Sequence, residues 1–192
     1  MLKELRPALV LLAVMTAITG IIYPLLVTGV AQMAFPWQAG GSLIEKDGKV
    51  VGSALIGQAF SGPGYFQGRP SAAGKGYDAA NSGGSNLAPS AKALAEGVAS
   101  QAEKLKATHP EETGPVPADL ATASASGLDP HISPAAAAYQ VKRVAAYRHI
   151  PVQELRDFVI RHTEGRELGV LGEARINVLR LNLALDERWP MR

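Results

Sequence analysis

The sequence predicts an α+β domain, built from a β-hairpin, three helices and a late strand, that one N-terminal transmembrane helix anchors to a membrane. The first observation behind this fold class is a run of 28 residues, from Pro7 to Ala34, without a charged side chain. The second is a pair of β-rich runs around Asp47-Gly48, a dipeptide that suits a tight hairpin turn. The third is a set of helical apolar periods after residue 86, followed by alternating leucines near the end of the chain.

The uncharged run is long enough to cross a bilayer. Its stricter part, residues 7–30, would reach roughly 36 Å as a helix, whereas a hydrocarbon core is about 30 Å thick. Gly20 and Pro24 lie within it, and both residue types are more frequent in membrane helices than in soluble ones. Pro24 is expected to kink the span. A cleaved signal peptide and a buried core helix are the alternatives, but the run is long for the first and apolar on every side, unlike the second.

Charges beside the run predict its orientation. Lys3 and Arg6 precede it, and the next charged residue after it is Glu45. Because cations close to a span stay in the cytoplasm, we expect a cytoplasmic N-terminus. The chain then divides into residues 1–36, which hold the N-terminus and the single transmembrane helix, and residues 37–192, an extracytoplasmic α+β domain.

Composition narrows the possible functions. The chain has no cysteine, which excludes disulfides, zinc–thiolate sites and thiol nucleophiles. Its formal net charge of +2 is too small to indicate a nucleic-acid surface. Apolar residues make up 47% of the chain, so we expect a buried core.

The first half of the outer domain is predicted to contain a hairpin, a loop and a helix. Residues 43–57 predict the hairpin. Residues 61–86 hold seven glycines and no regular period, yet they also carry aromatic residues and an arginine, so we expect an ordered binding loop in preference to a linker. From Leu87 to Lys106, apolar residues recur at steps of three and four, which predicts a helix.

The second half begins with a helix that has clear start signals. Ser133 is a favourable N-cap and Pro134 a favourable first helical residue, and the helix is expected to run to about His149. The basic residues of this helix are expected on a solvated face that could also meet an acidic partner: Lys142, Arg143 and Arg148.

Two further elements complete the predicted domain. A helix follows from Pro151 and is expected to end at Gly165, since glycine commonly terminates helices. In residues 175–186, leucines alternate with other residue types, and this period of two predicts a strand with one buried face.

Residues 124–134, SASGLDPHISP, combine the residue types of an active site with those of a structured turn. The candidate site residues are Ser126, Gly127, Leu128, Asp129, Pro130, His131 and Ser133. Asp129 and His131 could serve a nucleophilic serine (Ser124, Ser126 or Ser133) in a membrane-anchored, outer-face hydrolase, or supply two metal ligands. Turn chemistry accounts for nearly every residue, because Gly127 permits a positive φ and Ser133-Pro134 starts a helix. We therefore interpret the segment as a docking turn at a helix entry.

A second candidate is the loop SGGSN, formed by Ser82, Gly83, Gly84, Ser85 and Asn86. Backbone N–H groups beside two glycines can form an anion-binding nest. The loop lacks the Gly-Lys-Ser/Thr ending of a phosphate-binding P-loop, so the signal for phosphate is weak. The alternative is an ordered turn before the predicted helix, with Asn86 or a serine as its cap.

Four segments together resemble the C subunit of the potassium-transporting P-type ATPase, the Kdp complex. They are YFQGRPSA at 65–72, SGGSNLAPS at 82–90, the stretch 115–145 that contains SGLDPHISP, and INVLRLNLALD at 176–186. The resemblance covers nearly the whole chain, and the single N-terminal span agrees with it. Ala88 and Ala125 stand where the family commonly has glycine, and these small changes concern local backbone freedom only.

The resemblance implies a non-catalytic subunit of a high-affinity, ATP-driven potassium uptake complex in a bacterial inner membrane. Its partners would be a potassium-channel-like subunit, an ATP-hydrolysing P-type subunit and a small membrane peptide, with no nucleic acid. The family is described as a catalytic chaperone that raises the ATP affinity of the hydrolysing subunit. For residues 82–86 the resemblance implies a partner-binding or nucleotide-sensing loop.

The predicted orientation bears on this role. If Lys3 and Arg6 hold the N-terminus in the cytoplasm, residues 82–86 lie outside, away from cytoplasmic ATP. We therefore expect no tightly bound cofactor and no direct contact with ATP. The outer domain is expected to dock over the channel-like subunit, and its effect on ATP use to pass through the assembly as a coupling free energy of about 1–3 kcal/mol. A simple anchored binding protein is the remaining alternative.

Overall fold

The computed structural model describes residues 2–191, which form two compact units. The first unit runs to Val51 and the second starts at Gly52. The first unit contains α1 (Leu2–Ala17), a π-helical turn (Ile18–Ile22), α2 (Tyr23–Ala34), the short α3 (Pro36–Ala39), β1 (Leu43–Lys46) and most of β2 (Lys49–Ser53). Within the described residues, Lys3–Ala34 is the segment long and apolar enough to cross a membrane, and none of its most apolar part is buried. This confirms the predicted N-terminal helix.

The π-helical turn shows how the proline fits into this helix. Proline has no N–H group, and in a regular α-helix the ring of Pro24 would press against the carbonyl group of Gly20. The backbone widens just before this point, where the N–H group of Tyr23 bonds to the carbonyl oxygen of Ile18, five residues earlier. The local effect of Pro24 is therefore a π-turn in an otherwise continuous helix.

β1 and β2 form a two-stranded sheet, which confirms the predicted hairpin. The residues that join them, Asp47 and Gly48, have left-handed φ angles of 53° and 73°. Two left-handed residues make a type I′ turn, whose twist matches that of the flanking strands. The second strand is shorter than predicted, since it ends at Ser53 and residues 54–57 form turn and loop.

The second unit is built around three helices. Its elements are α4 (Lys92–Thr108), α5 (Ala118–Ala121), β3 (His131–Ile132), α6 (Pro134–Arg148), α7 (Val152–Arg161), β4 (Ile176–Asn177) and α8 (Val178–Arg188). The core is formed mainly by α6, α7 and α8, which bury Val144, Leu155, Leu181 and Leu185 completely. β3 and β4 pair antiparallel, with His131 opposite Asn177.

The predicted late strand at residues 175–186 is wrong, because all but its first residues belong to α8. The alternating leucines also fit a helical period, since Val178, Leu181 and Leu185 lie three and four residues apart and are buried together. Asn177 starts the helix: its side-chain oxygen accepts a hydrogen bond, 3.1 Å long, from the N–H group three residues on. Leucine, alanine and arginine also favour a helix over a strand.

Two other helices differ from prediction in their bounds. α4 begins at Lys92, five residues after Leu87. Asn86 has a left-handed φ of 51°, and Pro89 disfavours the helical conformation for the residue before it, so the helix cannot start before Pro89. Ala91 is extended, with a ψ of 126°, and the helix therefore starts at the next residue. α7 ends before the expected Gly165, and α5 lies in a proline-rich stretch for which no helix was predicted.

The glycine-rich segment is ordered because side chains from the core helices bind its backbone. Phe66 is fully buried, and Asn182 of α8 accepts a hydrogen bond from its N–H group and donates one to its carbonyl oxygen, both at 2.9 Å. Gln140 of α6 binds Gln67 in the same way, at 2.7 and 3.0 Å. The two amides thus satisfy buried backbone groups as a neighbouring strand would. We call these four hydrogen bonds the amide clamp.

Two arginines of α6 bind the three residues that precede Phe66, and one of them also binds the end of α8. Arg148, whose side chain is 1% exposed, donates to the carbonyl oxygens of Gly64 and Trp189 and to the carboxylate of Asp186. Arg143 donates to the carbonyl oxygens of Pro63 and Tyr65. The expected solvated face is therefore wrong for these two arginines. A guanidinium group offers five donors, which suits carbonyl groups that lack a partner in regular secondary structure.

His109 is a buried imidazole that the structure holds in its neutral form. Its Nδ1 lies 2.8 Å from the carbonyl oxygen of Leu105, and its Nε2 accepts a hydrogen bond, 2.9 Å long, from Nε of Arg143. This places the proton on Nδ1. Burial lowers the pKa of His109 below its ordinary value of 6.5, and the charge of Arg143 acts in the same direction.

Replacing Asn182 by leucine tests the amide clamp. Leucine has a similar size but leaves the buried N–H and carbonyl groups of Phe66 without partners, at about 1–3 kcal/mol each. We expect the free energy of unfolding to fall by about 2–6 kcal/mol in a urea titration of the chain in detergent. Asn81→Leu, at an exposed asparagine, is the matched control and should change it by less than about 0.5 kcal/mol. Equal decreases in the free energy of unfolding of the two variants would contradict the stabilising role of the amide clamp.

His109 also predicts a pH dependence of stability. Below pH 6.5 the unfolded chain takes up a proton on this residue that the folded chain does not, so the free energy of unfolding falls as the pH falls. The slope from this residue reaches about 1.4 kcal/mol per pH unit until its folded pKa is passed. His109→Gln keeps a donor and an acceptor but does not titrate. Urea titrations at pH 7.5 and 5.5 should show a smaller decrease in this variant, and identical decreases would refute the assignment.

Candidate functional site

The two candidate segments, which the sequence treats as separate, meet in the structure. Gly83 donates its N–H group to the carbonyl oxygen of Ser126 at 2.9 Å, and the Ser82 hydroxyl donates to the same oxygen at 3.0 Å. A Cβ atom at Gly84 would lie 2.8 Å from the carbonyl oxygen of Ala125. At Gly127, where φ is 66°, it would lie 2.5 Å from the carbonyl oxygen of Gly83. Glycine is therefore required for this close approach of two backbones.

A third segment, residues 69–77 of the glycine-rich loop, completes the assembly. Ser71 donates its hydroxyl to the carbonyl oxygen of Gly127 at 2.6 Å and accepts a hydrogen bond from the N–H group of Tyr77 at 2.7 Å. Tyr77 in turn donates its hydroxyl to the carbonyl oxygen of Arg69. We call residues 69–77, 82–86 and 124–133 together the turn cluster.

Asp129 is the charged centre of the turn cluster. Its carboxylate accepts a hydrogen bond from the backbone N–H group of His131 at 3.0 Å and forms an ion pair with Arg69 at 3.2 Å. Burial alone would raise its pKa, but the hydrogen bonds from His131 and Arg69 outweigh burial and hold the pKa of Asp129 below its usual value. Burial and the charge of Asp129 raise the pKa of Tyr77. The carboxylate is thus ionised and bound at neutral pH.

The end of the cluster is fixed to the core. The Ser133 side chain accepts a hydrogen bond from the N–H group of Ala136 at 3.0 Å, which confirms the predicted N-cap of α6. The backbone N–H group of Ser133 donates to Asp119 of α5 at 2.7 Å. The carbonyl oxygen of Pro130 accepts from the N–H group of Val178, the first residue of α8, at 2.9 Å. The turn is therefore positioned by three helices at once.

The geometry favours a shaped turn over a hydrolase site. A nucleophilic serine needs its hydroxyl within hydrogen-bonding distance of a base. The Ser133 hydroxyl caps α6, the Ser126 hydroxyl accepts from the N–H group of Leu128, and Ser124 lies 3.5 Å from Ser126. None of the described hydrogen bonds of His131 reaches a serine. In residues 2–191 no three histidine or acidic side chains are arranged to hold a metal ion.

The loop of residues 82–86 is ordered at one end and exposed at the other. The N–H group of Gly83 is already bonded to Ser126, so one donor of the expected anion-binding nest is occupied. Ser85 and Asn86 are exposed. α4 begins only at Lys92, with Ala91 and not Asn86 or a serine at its N-cap position. Residues 82–86 therefore do not lie at the N-terminus of α4, a position that would strengthen anion binding.

A cleft of about 330 Å³ opens beside the turn. Among the side chains that line it are Arg69, Asp129, His131, Ser133, Glu173 and Arg175. Arginine and carboxylate side chains both line it, so the cleft has no strong preference for an anion or a cation. In the sequence, Arg69 and Tyr77 are unusual for a linker, but they were assigned no place in the site. Ser71 was not identified at all. The partners of these three residues are revealed only by long-range contacts.

The chain resembles known proteins over nearly its whole length. The family model described as "KdpC: K+-transporting ATPase, c chain" matches residues 5–187. A protein of Sorangium cellulosum is 60% identical over 187 residues, covering 97% of this chain and 98% of the relative. One of Rhodospirillum rubrum is 57% identical over 191 residues, covering 100% and 99%. One of Gemmatimonas aurantiaca is 59% identical over 187 residues, covering 97% and 94%.

All three relatives carry the name "Potassium-transporting ATPase KdpC subunit". These matches confirm the family resemblance of the four sequence segments, all of which lie within residues 5–187. The chain belongs to the KdpC family, the c chain of K⁺-transporting ATPases.

Proposed function

We propose that the chain is a non-catalytic, accessory subunit of a high-affinity, ATP-driven potassium pump of the P type, and that it stabilises the assembled complex. The observation that carries the proposal is the joining of both candidate segments into one cluster whose polar groups bond to neighbouring backbone. A surface that is already rigid loses little conformational entropy when a partner binds. Family membership supplies the kind of assembly in which this surface acts.

The exposed part of the turn cluster suits a protein partner. Lys75 is exposed and charged, but every exposed residue of the other two segments is small and uncharged: Ser82, Ser85, Asn86, Ala125 and Ser126. Small side chains let another protein backbone come close, and their hydroxyl and amide groups can pair with it without burying a charge. The partner in this proposal is the potassium-channel-like subunit, with the ATP-hydrolysing P-type subunit and a small membrane peptide completing the complex.

The proposal places the second unit outside the cytoplasm of a bacterial inner membrane. Its support is the pair of cations, Lys3 and Arg6, that precedes the membrane-spanning segment, followed by a long stretch without charge. In this orientation residues 82–86 and cytoplasmic ATP are on opposite sides of the bilayer. The effect on ATP use then passes through the assembly as a coupling free energy of about 1–3 kcal/mol, and residues 82–86 contact a protein and not a nucleotide.

Sidedness can be measured with a reporter fused after Arg192. An alkaline phosphatase fusion, active only outside the cytoplasm, should be active, and a cytoplasmic reporter such as green fluorescent protein should be dark. Replacing Lys3 and Arg6 with glutamate should reduce the phosphatase signal, because the flanking cations set the orientation. A fluorescent C-terminal fusion in the unaltered chain would place the second unit in the cytoplasm and refute this part of the proposal.

Ser85→Arg tests the docking surface. Ser85 is exposed, so the larger side chain should leave the unfolding midpoint of the chain unchanged while it blocks a closely packed partner. We expect fewer ATPase subunits to co-purify with the tagged chain, and slower potassium uptake at low external potassium. Ser100→Arg, at an exposed serine of α4, is the matched control and should retain both.

Full co-purification and uptake in the Ser85→Arg variant would remove the turn cluster from the interface. Photo-crosslinking of an ATP analogue to residues 82–86, in sealed vesicles with the nucleotide on the cytoplasmic side only, would contradict the indirect route to ATP use.

A further inference from the structure

Between α7 and β4 the chain forms a narrow projection, residues 164–175, which we call the finger. Its base is closed by a reciprocal pair of backbone hydrogen bonds between Glu164 and Arg175, at 2.8 and 3.0 Å. A second reciprocal pair joins Glu167 and Leu171, both bonds at 2.9 Å. The finger is thus a small ordered hairpin, although the sequence predicted no element there.

The tip of the finger is apolar and faces solvent. Leu168 is 90% exposed, the highest value of any large apolar side chain that the structure describes, and Val170 is 73% exposed. Leu168 also has a left-handed φ of 52°, a conformation that leucine rarely adopts and that asparagine or glycine accepts far more readily. Its side chain therefore adds nothing to the packing of this chain and costs backbone energy. A contact outside the chain accounts for a leucine at this position.

The charges of the finger are paired with one another. Arg166 binds Glu173 at 2.8 Å, and Arg175 binds Glu164 at 3.2 Å and Glu167 at 3.1 Å. Three glutamates and two arginines leave residues 164–175 with a net charge of −1. The finger has no lysine and no aromatic residue. Anionic lipid headgroups attract basic segments, and aromatic rings favour the membrane interface, so this composition favours a protein partner over a lipid surface.

The base of the finger is continuous with the turn cluster. Glu173 and Arg175 line the cleft that Asp129 and His131 also line. The finger therefore adjoins the turn cluster, other residues of which the proposed function assigns to docking, and its tip would add aliphatic area to the small, polar docking residues. Interfaces commonly combine such an apolar anchor with a polar surround.

We propose that the finger is an interaction anchor whose aliphatic tip, Leu168 with Val170, inserts into an apolar pocket of another subunit of the K⁺-transporting ATPase. The ion-paired collar of Arg166, Glu173 and Arg175 sits at the polar rim of that pocket. This inference rests on the proposed function, because it requires that the chain binds the other subunits.

Leu168→Asn separates anchoring from folding. Asparagine accepts the left-handed conformation, so the unfolding midpoint of the full chain should stay the same or rise. In cells that co-express the remaining ATPase subunits, the tagged variant should bind those subunits about ten- to a hundred-fold more weakly in detergent, as expected for a leucine that loses its buried contacts. Leu55→Asn, at a leucine that is 62% exposed outside the finger, is the control and should bind normally.

Unchanged binding of Leu168→Asn would overturn the inference, as would an equal loss in Leu55→Asn. The proposed function is judged separately by Ser85→Arg. If Ser85→Arg no longer co-purifies with the partner subunits and Leu168→Asn still does, the finger is not an anchor, whereas the docking surface is supported. If the unaltered chain retains no ATPase subunit at all, the proposed function itself fails.

A photo-crosslinking amino acid in place of Val170 identifies the occupant directly. Irradiation of intact cells, followed by mass spectrometry of the purified adduct, should yield a peptide from another ATPase subunit. An adduct with lipid alone would assign the tip to the membrane surface and overturn the inference, and an adduct with a second copy of this chain would do the same.

Discussion

The amide clamp is the interaction on which the second unit depends. The glycine-rich segment has no regular secondary structure, yet Phe66 carries it into the core, where unpaired backbone groups are costly. Asn182 and Gln140 remove that cost because an amide side chain both accepts and donates. With Phe66 and Gln67 fixed, the residues that follow reach the turn cluster in a defined position. A loop that composition alone would class as flexible is thereby made a rigid part of the candidate site.

The buried arginines of α6 also bind backbone groups of the glycine-rich segment. Arg143 and Arg148 lie where the sequence suggested a solvated surface, but their guanidinium groups bind carbonyl oxygens of residues 63–65 and so replace water. His109 accepts a hydrogen bond from Arg143 and must remain neutral to do so. Polar side chains therefore decide the path of the loop, while the apolar residues of α6, α7 and α8 supply the area that is buried.

Local signals predicted much of the fold. The long apolar N-terminal helix, the hairpin at Asp47-Gly48 and the start of α6 at Ser133 each depend on neighbouring residues, and each was predicted correctly. The late strand was wrong because its leucines satisfy two periods at once, and only packing against α6 and α7 decides between them. In the candidate site, the sequence identified residues 82–86 and 124–134 but not their contact. Their partners are more than 40 residues apart, and no local pattern encodes such a distance.

The long sequence separation between the residues of the amide clamp has a consequence for biosynthesis. The amide of Asn182 and the backbone of Phe66 are separated by 116 positions, so the nascent chain emerges from the ribosome with this loop long before its binding partner exists. Contacts of such high sequence separation form late and slowly, because the entropy of closing the intervening loop is lost first. Until α8 is made, Phe66 remains a hydrophobic segment that chaperones can bind. Premature termination before α8 would therefore yield a product suited to degradation and not to incorporation.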